Sequence, residues 1–162
     1  MRAESGARHA LSLAIQIDDD AGELPADRAR IRRWARAALG HDARLLLRFV
    51  GRREARALNA RYRQRDKPTN VLTFCYALAP VVEADIVICL GVVRDEAARA
   101  RIPVAEHLAH LVVHGVLHAQ GHDHEDDDAA ERMERLEARI LQRFRIADPY
   151  RPATARTPRE GL

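Results

Sequence analysis

HLVVHGVLHAQGHDH, residues 110–124, is the stretch on which the reading of this chain turns. Within it His114, His118 and His124 run H-x₃-H-x₅-H. The first two stand one helical turn apart, so a helix sends both imidazoles from one face. The third cannot join them from the same helix. At about 100° and 1.5 Å per residue, position 124 points elsewhere and lies roughly 9 Å further along the axis. Gly121 supplies the break, because it tolerates the left-handed backbone on which helices end. A chain reversed there brings His124 back to the other two. Three imidazoles with one open position is the donor set of a catalytic zinc site.

The competing reading is a His-rich helix whose rings are hydrogen-bonded in a core or exposed to solvent. Six of the eight histidines fall within residues 107–124, which argues against a chance i, i+4 pair. His107, His110, His114 and His118 share about 80° of helical arc. His110 is therefore expected beside the ligands or facing substrate, since a fourth protein ligand would close the open position. Zinc proteases carry H-E-x-x-H, with the Glu as general base. Here Gly115 follows the first histidine, so peptide hydrolysis by that route lacks its base. A metal would still lower the pKa of water toward about 7 and act as a Lewis acid on a phosphoryl oxygen. Asp123 either orients an imidazole or caps the turn.

Outward from this stretch, two more blocks point the same way. HGVLHAQGHDH, residues 114–124, resembles the H-G-x-L-H-L-x-G-Y-D-H signature of the YbeY family of bacterial endoribonucleases. LNARYRQRDKPTNVLTF, residues 58–74, is similar to that family's L-N-x-x-Y-R-x-x-D-x-P-T-[DN]-V-L-[ST]-F segment, and ADIVIC, residues 84–89, to its G-D-I-V-I-C strand. The three blocks keep the family's order, and the resemblance covers residues 10–147. Ala119 replaces the usual Leu, His122 the usual Tyr, Ala84 a common Gly, and Cys75 a frequent Pro. None of these removes a metal ligand, although His122 adds a competing one; the family motif places the ligand at His124.

The resemblance implies an α+β fold: a small mixed sheet of about four strands packed with helices, related to zinc-protease-like folds. It implies one Zn²⁺, or another divalent transition metal, held by His114, His118 and His124. Arg63 matches the arginine of the family's Y-R segment, which makes Arg63 and His114 the catalytic pair, with the guanidinium stabilising charge on phosphoryl oxygens. Read alone, without the resemblance, Arg63 is more readily a helix-end arginine on its own last carbonyls. The implied substrate is single-stranded RNA, with work in maturation of 16S ribosomal RNA and ribosome quality control in the cytoplasm. The small ribosomal subunit is the implied partner, and ribosomal-protein or GTPase assembly partners stay open. A reading from another class is a ribosome-assembly factor whose metal holds the fold and whose activity is RNA binding. A third is a hydrolase of some other ester.

A length of 162 residues fits one domain, expected over residues 1–147, with residues 148–162, rich in proline and charge, as a disordered tail. Hydrophobic content of 47% and charged content of 31% suit a soluble globular protein, and no run approaches the length of a membrane span. The N-terminus has no small-residue cleavage site and reads as a strand, not an export signal. A net charge of +3 permits a nucleic-acid partner without demanding one. Lys67 is the only lysine; the arginine bias reads mostly as composition. Cys75 and Cys89 read as reduced core thiols.

Alternation predicts a strand over Leu11 to Ile17. Pro25 opens a helix with Ile31, Trp34, Ala35, Ala38 and Leu39 inward, stopped by Gly40. A strand over 44–50 and a helix over 52–64 follow, the helix turning Ala55, Leu58 and Tyr62 to the core. After a turn at 66–70, strands are expected at 71–76 and 86–90, then Gly91 followed by a helix that runs to about Arg99. Pro103 starts the metal helix, which runs to Gln120 and is buried on nearly every side. The acid run 125–128 reads mainly as the start of a last helix, with metal binding the lesser alternative. Met133, Leu136, Ile140 and Phe144 mark that helix's apolar stripe.

Overall fold

The structure is a computed structural model that describes residues 8–63, 70–122 and 126–151. Alternating apolar residues place β1 (Leu11–Ile17) where the sequence predicts it, and β2 (Ala43–Val50) and β3 (Val71–Ala77) fall within a residue of expectation. β4 (Val82–Cys89) begins four residues before the apolar run at 86–90, because Val82 and Ala84 already face inward while Glu83 and Asp85 alternate outward. The four strands form one mixed sheet in the order β1-β2-β4-β3. β1, β2 and β4 are parallel, and β3 runs antiparallel to β4.

Five helices stand among the described residues: α1 (Arg28–Ala37), α2 (Arg52–Arg63), α3 (Leu90–Ala100), α4 (Val104–Ala119) and α5 (Asp127–Gln142). α1 starts later than Pro25 suggests. Its cap is Asp27, whose carboxylate accepts from the Arg30 N–H at 2.8 Å and satisfies one of the helix's unbonded donors. Asp126 does the same for α5 through the Ala129 N–H, in line with the helix start read from the acid run. Gly91, expected ahead of α3, lies in its first turn.

Inward residues of β2 and β4, among them Leu47, Phe49, Ile86 and Ile88, pack against α1, α4 and α5 to form the main core. The opposite face carries a smaller cluster, Val50, Leu72, Val87 and Cys89, covered by Ala55 and Leu58 of α2. α4 is thus sandwiched between the sheet and α5, which holds the histidine helix rigidly. Tyr62, expected in the core, is 57% exposed. It sits near the end of α2 over the edge strand β3, its ring edge-on to Phe74 at 5.1 Å. Cys75 is likewise exposed rather than buried, because β3 is an edge strand; Cys89 is buried, and both thiols are free. No helix of the described residues is long and apolar enough to cross a membrane.

Candidate metal centre

α4 seats on the sheet more closely than a side chain would allow. A Cβ at residue 115 would lie 2.8 Å from Ile86 Cγ2, so only glycine fits. This is the position where a zinc protease carries its glutamate, and here that position faces β4. The absence of the protease base is therefore built into the packing of helix on sheet.

At its C-terminus α4 stops at Gly121, as the sequence predicts. Gly121 adopts φ +100°. Its N–H donates to the His118 carbonyl at 3.0 Å, and the His122 N–H donates to the Leu117 carbonyl at 3.2 Å. These two bonds are those of a Schellman turn. The turn delivers the His122 carbonyl to 2.8 Å from His118 Nδ1. The His122 side chain itself is exposed. Gln120 anchors the same end: its amide donates to the Ala38 carbonyl at 2.8 Å and its oxygen accepts from the Gly40 N–H at 2.6 Å.

His114, one turn back, has its Nδ1 2.6 Å from Glu137 Oε2 of α5. Glu137 is fully buried. Its other oxygen lies 3.0 Å from His110 Nε2 and also accepts from the Tyr150 hydroxyl. Burial alone would push the Glu137 carboxyl up, but the hydrogen bonds from His110, His114 and Tyr150, with the charge of His114, outweigh it and hold the carboxyl at about 2. Burial and the neighbouring Glu137 push the Tyr150 hydroxyl up, so it remains a donor. Glu137 is therefore ionised and accepts only. The His122 carbonyl is also an acceptor only. Both Nδ1 atoms must then carry the proton, and in the neutral rings the lone pair falls on Nε2 of His114 and of His118. The two ring centroids are 6.0 Å apart on one helix face. A donor set of this kind, imidazoles oriented through their second nitrogen by a carboxylate and a backbone carbonyl, fits a transition metal.

The described residues also contain a cluster that the sequence does not announce. His110, His114 and Glu137 each offer a ligand atom within 4.8 Å of the others and could hold a metal ion. His110 Nδ1 is buried without a hydrogen-bond partner. Tyr150 reaches this group from Asp148–Arg151, the beginning of the segment expected as a tail, and its ring stands edge-on to His110 at 5.3 Å. Of the predicted site residues, His114 and His118 are brought together, and Arg63 closes α2. His124, Asp123 and Lys67 lie outside the described residues. Glu137 was legible in one respect: a carboxylate one residue after Leu136 sits on the apolar stripe of its helix.

A family model described as Endoribonuclease YbeY matches residues 16–145. The chain belongs to the YbeY endoribonuclease family. Two curated members are matched along nearly their whole length. The Endoribonuclease YbeY of Thiobacillus denitrificans is 52% identical over 142 residues, covering 86% of this chain and 96% of the relative. That of Methylibium petroleiphilum is 47% identical over 144 residues, covering 89% and 97%. The solution structure of a Thermotoga maritima protein has the same fold, with a TM-score of 0.50 and 22% identity, over 86% of this chain and 99% of that one.

Proposed function

We propose that this YbeY-family chain is a metal-dependent endoribonuclease that cuts phosphodiester bonds of single-stranded RNA, with zinc held by His114, His118 and His124. The observation that carries the reading is the engagement of both described imidazoles through Nδ1, by Glu137 at 2.6 Å and by the His122 carbonyl at 2.8 Å. Glu137 is read as the group that orients His114 and raises its basicity, not as a ligand, because His110, His114 and Tyr150 already share its oxygens. His110 is read as a partner of that carboxylate. Family members named Endoribonuclease YbeY that match at about half identity support RNA as the substrate.

When bound, the metal supplies a Lewis acid for a phosphoryl oxygen and lowers the pKa of water. α4 holds His114 and His118 without rearrangement, since the sheet and α5 fix it on both sides. Arg63 is assigned the negative charge that builds on the phosphoryl oxygens, where a guanidinium fork is well matched to two oxygens at once. With Gly115 pressed on Ile86, no carboxylate of α4 follows the first ligand to take a proton; the attacking hydroxyl is that of water or of the ribose. We place the catalytic domain in residues 1–147 and the biological work in small-subunit ribosomal RNA maturation, in the cytoplasm, with the small subunit as partner.

The test compares metal-replete wild type with His114→Ala and Arg63→Ala on an unstructured RNA, with circular dichroism as a check on folding. Wild type is expected to cleave, His114→Ala to lose both metal and cleavage, and Arg63→Ala to lose cleavage with metal retained. Equal cleavage by wild type and His114→Ala would remove the metal site from the chemistry. Failure of all three to cleave, with ribosomal subunits still bound, would favour the assembly-factor reading. Because metals contribute folding energy, loss of structure in His114→Ala shifts the decision to Arg63→Ala.

A further inference from the structure

The outer surface of α1 takes no part in the metal centre, yet α1 carries the largest net charge of the five described helices. Its ten residues, RARIRRWARA, include Arg28, Arg30, Arg32, Arg33 and Arg36 and no acid. All five are exposed, and none forms an ion pair among the described residues. Asp27 caps the helix and Asp18 is tied to Arg48; the remaining acids of residues 19–23 lie before the N-terminal end. At about 100° per residue, Arg28, Arg32, Arg36 and Arg33 fall within about 140° of arc, beside and outside the arc of the buried Ile31, Trp34 and Ala35.

Three of these side chains are held in line by backbone. Arg28 donates to the Ile15 carbonyl at 3.1 Å, Arg32 to the Leu13 carbonyl at 3.2 Å and Arg36 to the His9 carbonyl at 3.3 Å. Helix and edge strand run antiparallel, so Arg28 and Arg32 meet alternate carbonyls of β1, and Arg36, a turn further on, meets the carbonyl of His9 just before the strand. One N–H of five is used in each bond, which leaves most of every guanidinium to meet a ligand. Successive members of the row are about 6 Å apart along the helix axis. Ordered, weakly hydrated guanidinium forks at regular spacing suit a chain of phosphates. The row ends beside the metal helix: Gln120, the residue just past α4, bonds both Ala38 and Gly40 just past α1.

We propose that the arginine row of α1 is a track for the phosphate backbone of single-stranded RNA, holding the part of the substrate that lies away from the bond being cut. The proposal rests on the reading of the chain as a ribonuclease for its direction, and on charge and geometry for its ligand. Base identity plays no part, since the row presents only cations.

Two double variants test it, Arg33→Gln/Arg36→Gln and Arg33→Lys/Arg36→Lys. Binding is measured by fluorescence anisotropy with a 30-nucleotide oligothymidylate, which carries phosphates but no ribose hydroxyl, between 50 and 200 mM salt. Each phosphate contact contributes about 0.7 to the slope of log affinity against log salt for single strands. The Gln pair is expected to lower that slope by about 1.4, and the Lys pair to keep it. Should the Gln pair lose helical signal, Arg33→Gln alone, which touches no partner among the described residues, is expected to lower it by about 0.7. In cleavage, the Gln pair is expected to raise KM several-fold for a 30-nucleotide RNA at unchanged kcat, and to leave a tetranucleotide unaffected. An unchanged salt slope in the Gln variants, or no binding of oligothymidylate by wild type, overturns the track. If wild type cuts no RNA but the slope still falls, the ribonuclease reading fails and the track stands as a single-strand-binding surface.

Discussion

Replacing Glu137 by glutamine changes one atom type in a fully buried group and tests how His114 is held. The ionised carboxylate accepts from His110, His114 and Tyr150. Its carboxyl is held at about 2 against an ordinary 4.5, which corresponds to about 3 kcal/mol in favour of the charged form. Glutamine offers one oxygen and one NH₂. If the oxygen serves His114, the NH₂ meets the N–H of His110. Moving that proton to His110 Nδ1 is no remedy, because this atom is buried without a partner. At least one buried donor is left unsatisfied, at about 1–3 kcal/mol, and each charged hydrogen bond that becomes neutral loses about 1 kcal/mol more. We expect Glu137→Gln to lower stability by about 2–5 kcal/mol in urea denaturation of the metal-free protein. Metal affinity, measured by competition with a chromogenic chelator, should fall roughly 10- to 100-fold. Glu131→Gln, on the exposed side of the same helix, is the control and should change stability by less than about 0.5 kcal/mol. A folded Glu137→Gln protein with metal affinity within twofold of wild type would refute the reasoning.

Three further substitutions probe the supports of the site. Gly115→Ala drives a methyl to 2.8 Å from Ile86 Cγ2 and should cost about 1–3 kcal/mol in chemical denaturation; combined with Ile86→Ala, the two losses should be less than additive. Gly121→Ala meets no atom within 4 Å but must adopt φ +100°, so it should cost about 1–2 kcal/mol by backbone strain alone, with Gly121→Asn costing less. Tyr150→Phe removes the hydroxyl from Glu137 and His110 and should lower the denaturation midpoint by the equivalent of about 1–2 kcal/mol; no change would mean that the segment after residue 147 contributes nothing to the site.

Most of the sheet and the histidine helix were legible because they rest on period. β1 follows from strict alternation, and α4 from an apolar surface broken only by its histidines and Glu106. Gly121 was readable as a helix stop because a left-handed residue there needs glycine. What escaped depended on tertiary position. Tyr62 carries the helical spacing of a core residue, but α2 runs out over the edge strand, and burial depends on what lies opposite. Cys75 is apolar in context yet exposed for the same reason. α1 begins at an aspartate cap that a proline two residues earlier obscured. Glu137 and Tyr150 are 23 and 40 residues away from the nearest histidines they bond, His114 and His110 respectively. No local rule connects such distances; only the packing of α5 on α4 does.

The central claim is that a single metal ion is gripped by Nε2 of His114 and His118 together with His124. Crystals of the protein grown with zinc, with anomalous data collected on both sides of the zinc absorption edge, test it most directly. One anomalous peak is expected about 2.0–2.1 Å from Nε2 of His114, from Nε2 of His118 and from one nitrogen of His124, with Glu137 on the far side of the His114 ring. A peak seated instead on His110, His114 Nδ1 and Glu137, or no bound metal at all, would contradict it.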